Sequence, residues 1–170
     1  MLPDGNLIAS SALGELNLWD VQGRLIRSTQ RCEESITSVS VLYESVVVAG
    51  REEGSLSLWD TTSSEHDKIN IYGHEAAIWA LASLSNKRVV ATDGEGVVKV
   101  WRADLALGLR HAWTCLQTLR GHARAAFCLA ALPDGRIVSG SMDRTLRFWA
   151  PAGYQIDRGA ADVKSRLRVS

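Results

Sequence analysis

Short stretches in which apolar and polar residues alternate recur along this chain, and each one closes on a tryptophan. Two clear examples are residues 55–59 (Ser-Leu-Ser-Leu-Trp) and 145–149 (Thr-Leu-Arg-Phe-Trp). A period of two places successive side chains on opposite faces of an extended strand, whereas an amphipathic helix needs apolar residues three and four positions apart. The pattern therefore predicts β-strands rather than helices.

The tryptophans that close these stretches recur at a near-constant interval. They are Trp19, Trp59, Trp101 and Trp149, separated by 40, 42 and 48 residues. Pro-Asp-Gly lies equally far before the first and the last of them, at residues 3–5 and 133–135, and Gly-His lies equally far before the last two, at residues 73–74 and 121–122. A unit of this length buries its apolar face only against its neighbours, so the spacing predicts a modular repeat array.

A strand ending in Trp-Asp, a preceding Gly-His and a Ser-x-Asp turn resemble the WD-repeat family, whose members build β-propellers from four-stranded blades. The resemblance covers roughly residues 1–158. It implies an all-β fold: a partial ring of about four antiparallel blades, the first of which lacks its innermost strand. Residues 159–170 form a basic C-terminal tail, which we expect to be disordered.

This frame predicts the strands of each unit, with a surface loop at residues 102–112. The predicted strands are 6–10, 15–19, 24–29; 35–41, 45–50, 55–59, 68–72; 77–83, 88–92, 97–101, 113–119; 125–131, 136–140, 145–149 and 154–158.

The resemblance also implies a structural hydrogen-bond network in the last unit. Its members are His122, Ser139, Asp143 and Trp149. The third unit keeps His74 and Trp101, but Ala91 takes the serine position and Glu95 the aspartate position, so we expect only part of the network there. The second unit has Arg31-Cys32 in place of Gly-His and Ala49 in place of the serine. The first unit has Ala9 and Leu13 at the corresponding positions.

Four blades are fewer than the seven or eight usual in the family, and an open arc leaves apolar faces and strand edges in water. Three explanations stay open. The chain is part of a longer propeller, it completes a ring with a second copy or another chain, or it closes as a ring of four blades. Val163, Leu167 and Val169 in the tail are one candidate for the missing strand, although their register is poor.

Composition narrows the setting of the protein. Lys plus Arg and Asp plus Glu number 19 each, so no overall field favours nucleic acid or an acidic membrane. The N-terminus lacks a signal pattern, and no apolar run approaches membrane-spanning length. These features predict an intracellular protein, cytoplasmic or nuclear. The three cysteines match neither a disulfide framework nor a zinc site, which favours reduced structural thiols.

Candidate chemistry is sparse. His74-Glu75 begins a zinc motif whose second histidine is replaced by Ile78, and Gly94 and Gly96 are explained by a tight turn. His66 and His111 lie in polar loop contexts. His122, Ser139 and Asp143 superficially resemble a hydrolase triad, but the family uses them to hold a blade together. We therefore expect no enzyme activity, no metal and no cofactor.

Propellers recognise partners through one face, and the resemblance places partner-facing positions just after Gly-His and just before the turn aspartate. These positions are Ser35, Thr37 and Glu52; Ala77, Trp79 and Gly94; and Ala125, Phe127 and Met142. Strand alternation aims Trp79 and Phe127 away from the inter-blade core, unless a bulge turns them inward. Arg124 and Arg144 fall on the same rim and suit an acidic or phosphorylated peptide, although solvated surface charge also explains them.

The sequence thus predicts a non-catalytic scaffold that binds other proteins or peptides. Two alternatives remain: an obligate half of an assembled propeller ring, and a phosphopeptide-reading adaptor such as a ubiquitin-ligase receptor. The tail residues Arg158, Lys164, Arg166 and Arg168 raise the possibility of nucleic-acid contact, which the absence of interleaved aromatic residues disfavours.

Overall fold

The computed structural model describes residues 1–29, 34–63, 69–103 and 113–150, which form fourteen β-strands and no helix. The strands are β1 (Leu7–Ser10), β2 (Leu16–Trp19), β3 (Leu25–Ser28), β4 (Ile36–Tyr43), β5 (Val46–Arg51), β6 (Ser55–Asp60), β7 (Ile69–Tyr72), β8 (Ile78–Leu84), β9 (Arg88–Asp93), β10 (Val98–Ala103), β11 (Trp113–Leu119), β12 (Ala126–Ala131), β13 (Ile137–Ser141) and β14 (Leu146–Trp149).

Consecutive strands pair antiparallel into four sheets, one for each repeat unit. Blade 1 is β1-β2-β3, blade 2 is β4-β5-β6-β7, blade 3 is β8-β9-β10-β11 and blade 4 is β12-β13-β14. The predicted fold class is confirmed, and among the described residues blade 1 lacks an innermost strand. The predicted strand at 154–158 and the boundary at residue 158 lie outside the described residues.

One register recurs in all four blades. The tryptophan that closes the third strand of the unit is paired with the residue twelve positions before it. These pairs are Leu7 with Trp19, Val47 with Trp59, Val89 with Trp101 and Ile137 with Trp149. Because side chains alternate across a strand, an equal register places equivalent residues on the same face of every blade.

The core lies between the blades. Leu16 and Leu18 of blade 1 pack in one cluster with Val47 and Trp59 of blade 2. Leu56 and Leu58 of blade 2 pack likewise with Val89 and Trp101, and Val98 and Val100 of blade 3 pack with Ile137 and Trp149. Each fully buried Leu or Val contributes about 1.5–3 kcal/mol. We call the face of a blade that carries the tryptophan its first face. The opposite face, which carries the apolar residues one and three positions before the tryptophan, is its second face.

Polar side chains also join neighbouring blades near the propeller axis. The amide of Leu81 in blade 3 donates to Ser38 Oγ in blade 2 over 3.0 Å. The hydroxyl of Thr92 in blade 3 donates to the carbonyl of Ala126 in blade 4 over 2.9 Å. These bonds satisfy backbone groups that the inner strands would otherwise bury without partners.

The described residues form an open arc, so a closed ring of four blades is not what they show. The first face of blade 1 and the second face of blade 4 are both exposed. Strand β10 runs on to Ala103, which is buried and pairs with Trp113, so the predicted loop begins later than residue 102. Residues 104–112 lie outside the described residues.

Candidate functional site

The network in blade 4 joins four side chains around a buried imidazole. His122 Nδ1 lies 2.9 Å from Asp143 Oδ2, and His122 Nε2 lies 2.7 Å from Ser139 Oγ. The indole of Trp149 donates to the same Ser139 Oγ over 2.8 Å. With Nδ1–H donating to the carboxylate, the serine hydroxyl donates to Nε2 and accepts from the indole. Every polar atom of this cluster then has a hydrogen-bond partner.

These contacts explain why the resemblance to a hydrolase triad has no catalytic meaning. Ser139 is completely buried, and its oxygen already accepts the N–H of Trp149. A nucleophile must reach a substrate, and this hydroxyl does not. Asp143 instead fixes the loop: hydrogen bonds from the Thr145 hydroxyl, the amide of Ala123 and His122 hold the pKa of Asp143 well below its usual range.

Blade 3 builds a smaller network with a different carboxylate. His74 Nδ1 lies 2.8 Å from Asp93 Oδ2, and Asp93 Oδ1 accepts the amides of Glu95 and Val97. Glu95, which stands at the aligned aspartate position, is exposed, while Asp93, two residues earlier, faces inward and supplies the carboxylate. Burial raises the pKa of Asp93, but the hydrogen bonds from His74 and the amides outweigh it and leave that pKa lowered.

The serine of the network is missing from blade 3, and two polar atoms show its absence. Ala91 stands at the position of Ser139, and both His74 Nε2 and Trp101 Nε1 are buried without a hydrogen-bond partner in the described part of the chain. Trp59 Nε1 in blade 2 is in the same situation beside Ala49. These are the atoms that Ser139 satisfies in blade 4.

Blade 2 uses an arginine that the sequence reasoning missed. Arg51 is completely buried; its Nε donates to Ser57 Oγ over 2.6 Å and its Nη1 donates to the Glu34 carbonyl over 3.1 Å. Nη1 also lies 3.3 Å from Glu34 Oε2. Arg51 is eight residues before Trp59, just as Asp93 is eight residues before Trp101. The sequence signal for this role was a cationic residue at the position equivalent to Asp93, in a unit that lacks Gly-His.

The positions predicted to face a partner lie together in blades 2, 3 and 4. The loop that leads into the first strand is hydrogen-bonded to the turn between the second and third strands. The equivalent bonds are Glu52 N to Ser35 O (3.2 Å), Gly94 N to Ala77 O (3.0 Å) and Met142 N to Ala125 O (2.9 Å). We define the rim face as the set of predicted binding residues, namely Thr37, Glu52, Trp79, Phe127, Met142, Arg124 and Arg144.

A β-bulge marks the rim face in three blades. The ladder between the first and second strands skips one residue in each, namely Thr37, Trp79 and Phe127. A bulge leaves one residue unpaired and re-aims its side chain. The sequence leaves open that a bulge turns Trp79 and Phe127 inward. The bulge is present, yet Trp79 and Phe127 remain 37% and 46% exposed, and Met142 is 48% exposed.

The two aromatic rings form one patch across neighbouring blades. The centroids of Trp79 and Phe127 lie 5.2 Å apart in an edge-to-face arrangement. The residue before each ring, Ile78 or Ala126, is completely buried in the core. A rigid core thus holds an exposed aromatic pair at a fixed place.

Thr37 differs from its two aromatic counterparts. Its side chain is half-buried, and its hydroxyl donates to the Gly50 carbonyl over 3.0 Å and also bonds the Ile78 carbonyl of blade 3. These bonds occupy the hydroxyl within the structure. Glu52, by contrast, is exposed.

The two rim arginines are exposed and form no side-chain ion pair with any described residue. Arg144 has a φ of 66°, whereas the equivalent positions of the other blades hold glycines, namely Gly14, Gly54 and Gly96, with φ of 76°, 86° and 75°. A side chain in this left-handed region strains the backbone. Blade 4 therefore carries an arginine where its neighbours relieve strain with glycine.

Other candidate chemistry is absent from the described residues. They contain no cluster of three or more metal-ligating side chains. No helix in the described ranges has the length and apolar character needed to cross a membrane. Cys115 and Cys128 are free and exposed, so the expectation of structural thiols is wrong for these two. Cys32, His66 and His111 lie outside the described residues.

Antiparallel sheets of three or four strands that share one register and pack face to face define this chain as an arc of a β-propeller. The family model for the WD domain, G-beta repeat, matches residues 66–102 and 113–150. The chain carries repeats of this family in these two segments, as the blade-4 network and the recurring tryptophans also indicate.

Known relatives are longer than this chain. It is 26% identical over 159 residues to U3 small nucleolar RNA-associated protein 4 of Schizosaccharomyces pombe, covering 88% of this chain and 21% of that protein. It is 27% identical over 139 residues to the CCR4-associated factor 4 homolog of Candida glabrata, covering 78% of this chain and 24% of the relative. The chain thus spans about a quarter or less of these two relatives. The crystal structure of the computationally designed Ika8 protein matches with a TM-score of 0.70 and 26% identity, covering 88% of this chain and 44% of that one.

Proposed function

We propose that this chain is a non-catalytic interaction module that binds other proteins or peptides through the rim face. The observation that carries the proposal is the exposed aromatic patch of Trp79 and Phe127, placed by bulges beside fully buried core residues. Met142 extends the patch on blade 4. Aromatic anchors of this kind each contribute about 2 kcal/mol or more when a partner buries them.

The relatives support a role of this general type. WD-repeat proteins are generally non-catalytic scaffolds, and relatives of this chain include proteins named for ribosome biogenesis and for association with a small nucleolar RNA. The balanced charge of this chain favours proteins over nucleic acid as its own partners. We place it inside the cell, in the cytoplasm or nucleus, without a cofactor.

Affinity capture from a lysate of the source cells, followed by direct binding measurements on each purified partner, tests this function. The triple variant Trp79→Ala, Phe127→Ala, Met142→Ala is compared with Tyr72→Ala, which removes an exposed aromatic ring from the outer strand of blade 2. Partners should be lost from the triple variant and kept by the control. Equal binding by both variants, with both folded, contradicts use of the rim face.

A second candidate function, phosphopeptide recognition, rests on Arg124 and Arg144. Both are held at one point of blade 4, since the Arg124 carbonyl accepts from Ser141 Oγ over 2.9 Å and the Arg144 amide donates to the Ser141 carbonyl over 3.0 Å. Two free guanidinium groups beside an apolar patch suit a phosphate flanked by apolar residues. This reading requires a salt-sensitive affinity for phosphopeptides that Arg124→Ala or Arg144→Ala abolishes and that the unphosphorylated peptide lacks.

A further inference from the structure

The second face of blade 4 breaks a burial pattern that the other blades keep. The apolar residues three and one positions before the tryptophan are Leu16 and Leu18 (4% and 5% exposed), Leu56 and Leu58 (1% each), Val98 and Val100 (0% and 1%), and Leu146 and Phe148 (62% and 58%). In the first three pairs the next blade covers the side chains. The same face of blade 4 is uncovered in the described structure.

Cross-strand register shows that this uncovered face is a continuous apolar surface. One row runs through Cys128, Gly140 and Leu146, and the next runs through Ala130, Val138 and Phe148. The six residues carry no charge. The equivalent rows of blade 3, which run through Thr92 and Val90, are buried against blade 4.

The opposite end of the arc exposes the complementary surface. Leu7 is 48% exposed, whereas the equivalent residues Val47, Val89 and Ile137 are completely buried. Leu7 is paired with Trp19, and Trp19 is paired with Leu25, which is 51% exposed. Blade 1 therefore presents an uncovered first face built around its tryptophan.

Contacts between a second face and a first face occur three times within this chain. A second face carrying an apolar pair packs on a first face carrying a tryptophan at the junctions of blades 1 and 2, 2 and 3, and 3 and 4. The residues at the centre of the two free surfaces, Leu146 with Phe148 and Leu7 with Trp19, are uncharged, so they do not repel each other. The occupant that the second face of blade 4 fits is the first face of another blade, and a second copy of this chain carries that surface on blade 1.

We propose that two copies of this chain associate head to tail, with blade 4 of each copy packed on blade 1 of the other. Such an arrangement has two-fold symmetry and two identical junctions, and it leaves neither apolar end in water. The expected pairs across each junction are Phe148 and Leu146 against Leu7 and Trp19.

The test uses the whole chain of 170 residues in sedimentation equilibrium, where the wild type should have twice the monomer mass of 18.5 kDa. Leu7→Lys and Phe148→Glu should each dissociate to monomers, with a loss of affinity of at least about tenfold. Mixed in equal amounts, the two variants should form a heterodimer, because one of its two junctions contains only unaltered residues. Tyr72→Glu, altered at an exposed site away from both ends, should remain dimeric.

Several outcomes overturn the proposal. A wild type that stays monomeric at all concentrations overturns dimerisation and leaves these faces for other blades, of the same or of another polypeptide. Open-ended oligomers contradict closure by two copies. A Leu7→Lys variant that still dimerises points to blade 4 packing on itself, and a mixture that stays monomeric excludes head-to-tail pairing, provided that circular dichroism shows both variants folded.

The exposed thiols supply an independent measurement. Cys128 lies on the second face of blade 4, whereas Cys115 lies on the outer strand of blade 3. In the dimer, labelling at Cys128, read by peptide mass spectrometry, should be at least about tenfold slower than at Cys115, and Phe148→Glu should remove that difference. Equal labelling of the two thiols in the wild type contradicts the proposal. Cys128 and Leu146 share a pocket with the rim-face residues Phe127 and Met142, so both measurements are made on the purified chain without a rim-face partner. Their outcome then reports on the dimer alone, and the scaffold function is tested separately.

Discussion

Trp79 on β8 and Phe127 on β12 belong to different blades, yet their rings meet edge to face with planes inclined by 67°. Each ring occupies the bulge of its own strand. The contact therefore joins two repeats at the rim, outside the inter-blade core, and leaves both rings accessible to a partner.

This pair makes a first prediction about stability. Trp79→Ala and Phe127→Ala should each lower the free energy of unfolding only modestly, and a double-mutant cycle should give a coupling of about 0.5–1.5 kcal/mol. Ile78→Ala, at the completely buried neighbour, should cost about 2–5 kcal/mol. Denaturant unfolding measures the wild type, the two single aromatic variants, their double variant and Ile78→Ala. If either aromatic substitution unfolds the protein, the ring belongs to the core and our assignment to the rim is wrong.

Ala91→Ser should stabilise the protein. The new hydroxyl can donate to His74 Nε2 and accept from Trp101 Nε1, two buried atoms that now lack partners. We expect a gain of about 1–2 kcal/mol in the free energy of unfolding. Ala49→Ser is the matched variant: it supplies a partner to Trp59 Nε1 alone, so its gain should be smaller. The reverse change, Ser139→Ala, should destabilise blade 4. A loss of stability in Ala91→Ser contradicts the equivalence of the two networks.

Asp143 should make the fold sensitive to acid. Its pKa in the folded protein is lowered from the ordinary value of 3.8, chiefly by the Thr145 hydroxyl. The unfolded chain therefore takes up this proton first. The stabilisation is present above pH 3.8 and is lost as the pH falls through the lower, folded value. Asp143→Asn should be less stable than the wild type at neutral pH. The difference in stability between the two proteins should shrink as the pH falls below 3.8. Glu95→Gln, at an exposed carboxylate, should follow the wild-type profile; a constant difference for Asp143→Asn sinks the prediction.

Arg144→Gly should separate stability from binding. Glycine relieves the left-handed backbone that Arg144 adopts, with an expected gain of about 1 kcal/mol in the free energy of unfolding. If the arginine serves recognition, the same variant should bind phosphopeptides more weakly. Arg144→Lys keeps both the strain and the charge, so it should show no gain in thermal stability. A destabilised Arg144→Gly means that the arginine makes packing contacts that offset its strain.

The periodicity of the sequence predicts the strands well because each strand is half of a repeated packing unit. A period of two, closed by a tryptophan, leaves one register in which both faces of a blade are apolar, and all four units adopt it. The missing innermost strand of blade 1 follows from counting strands back from Trp19.

The polar interior is less predictable, since it depends on side-chain direction. Gap-free alignment places Glu95 opposite Asp143, but the carboxylate that reaches His74 comes from Asp93, which the alignment places opposite Ser141. Arg51 enters the core of blade 2 through the same position. Strand periodicity predicts the position of a residue in its strand. Whether a polar side chain faces inward or toward solvent depends on which neighbour offers it a hydrogen-bond partner.

The hydrogen bond from the Thr92 hydroxyl to the main chain of Ala126 affects how far the residues of one repeat can change without altering the rim face. It ties the start of β12 to blade 3 immediately beside the bulge that carries Phe127, so the separation of the two rim aromatics is governed by the main chain. Exchanges inside a blade, such as alanine for serine at residue 91, then alter how firmly a unit is held without moving what it displays. Motif residues can decay in one repeat while the spacing offered to a ligand stays constant.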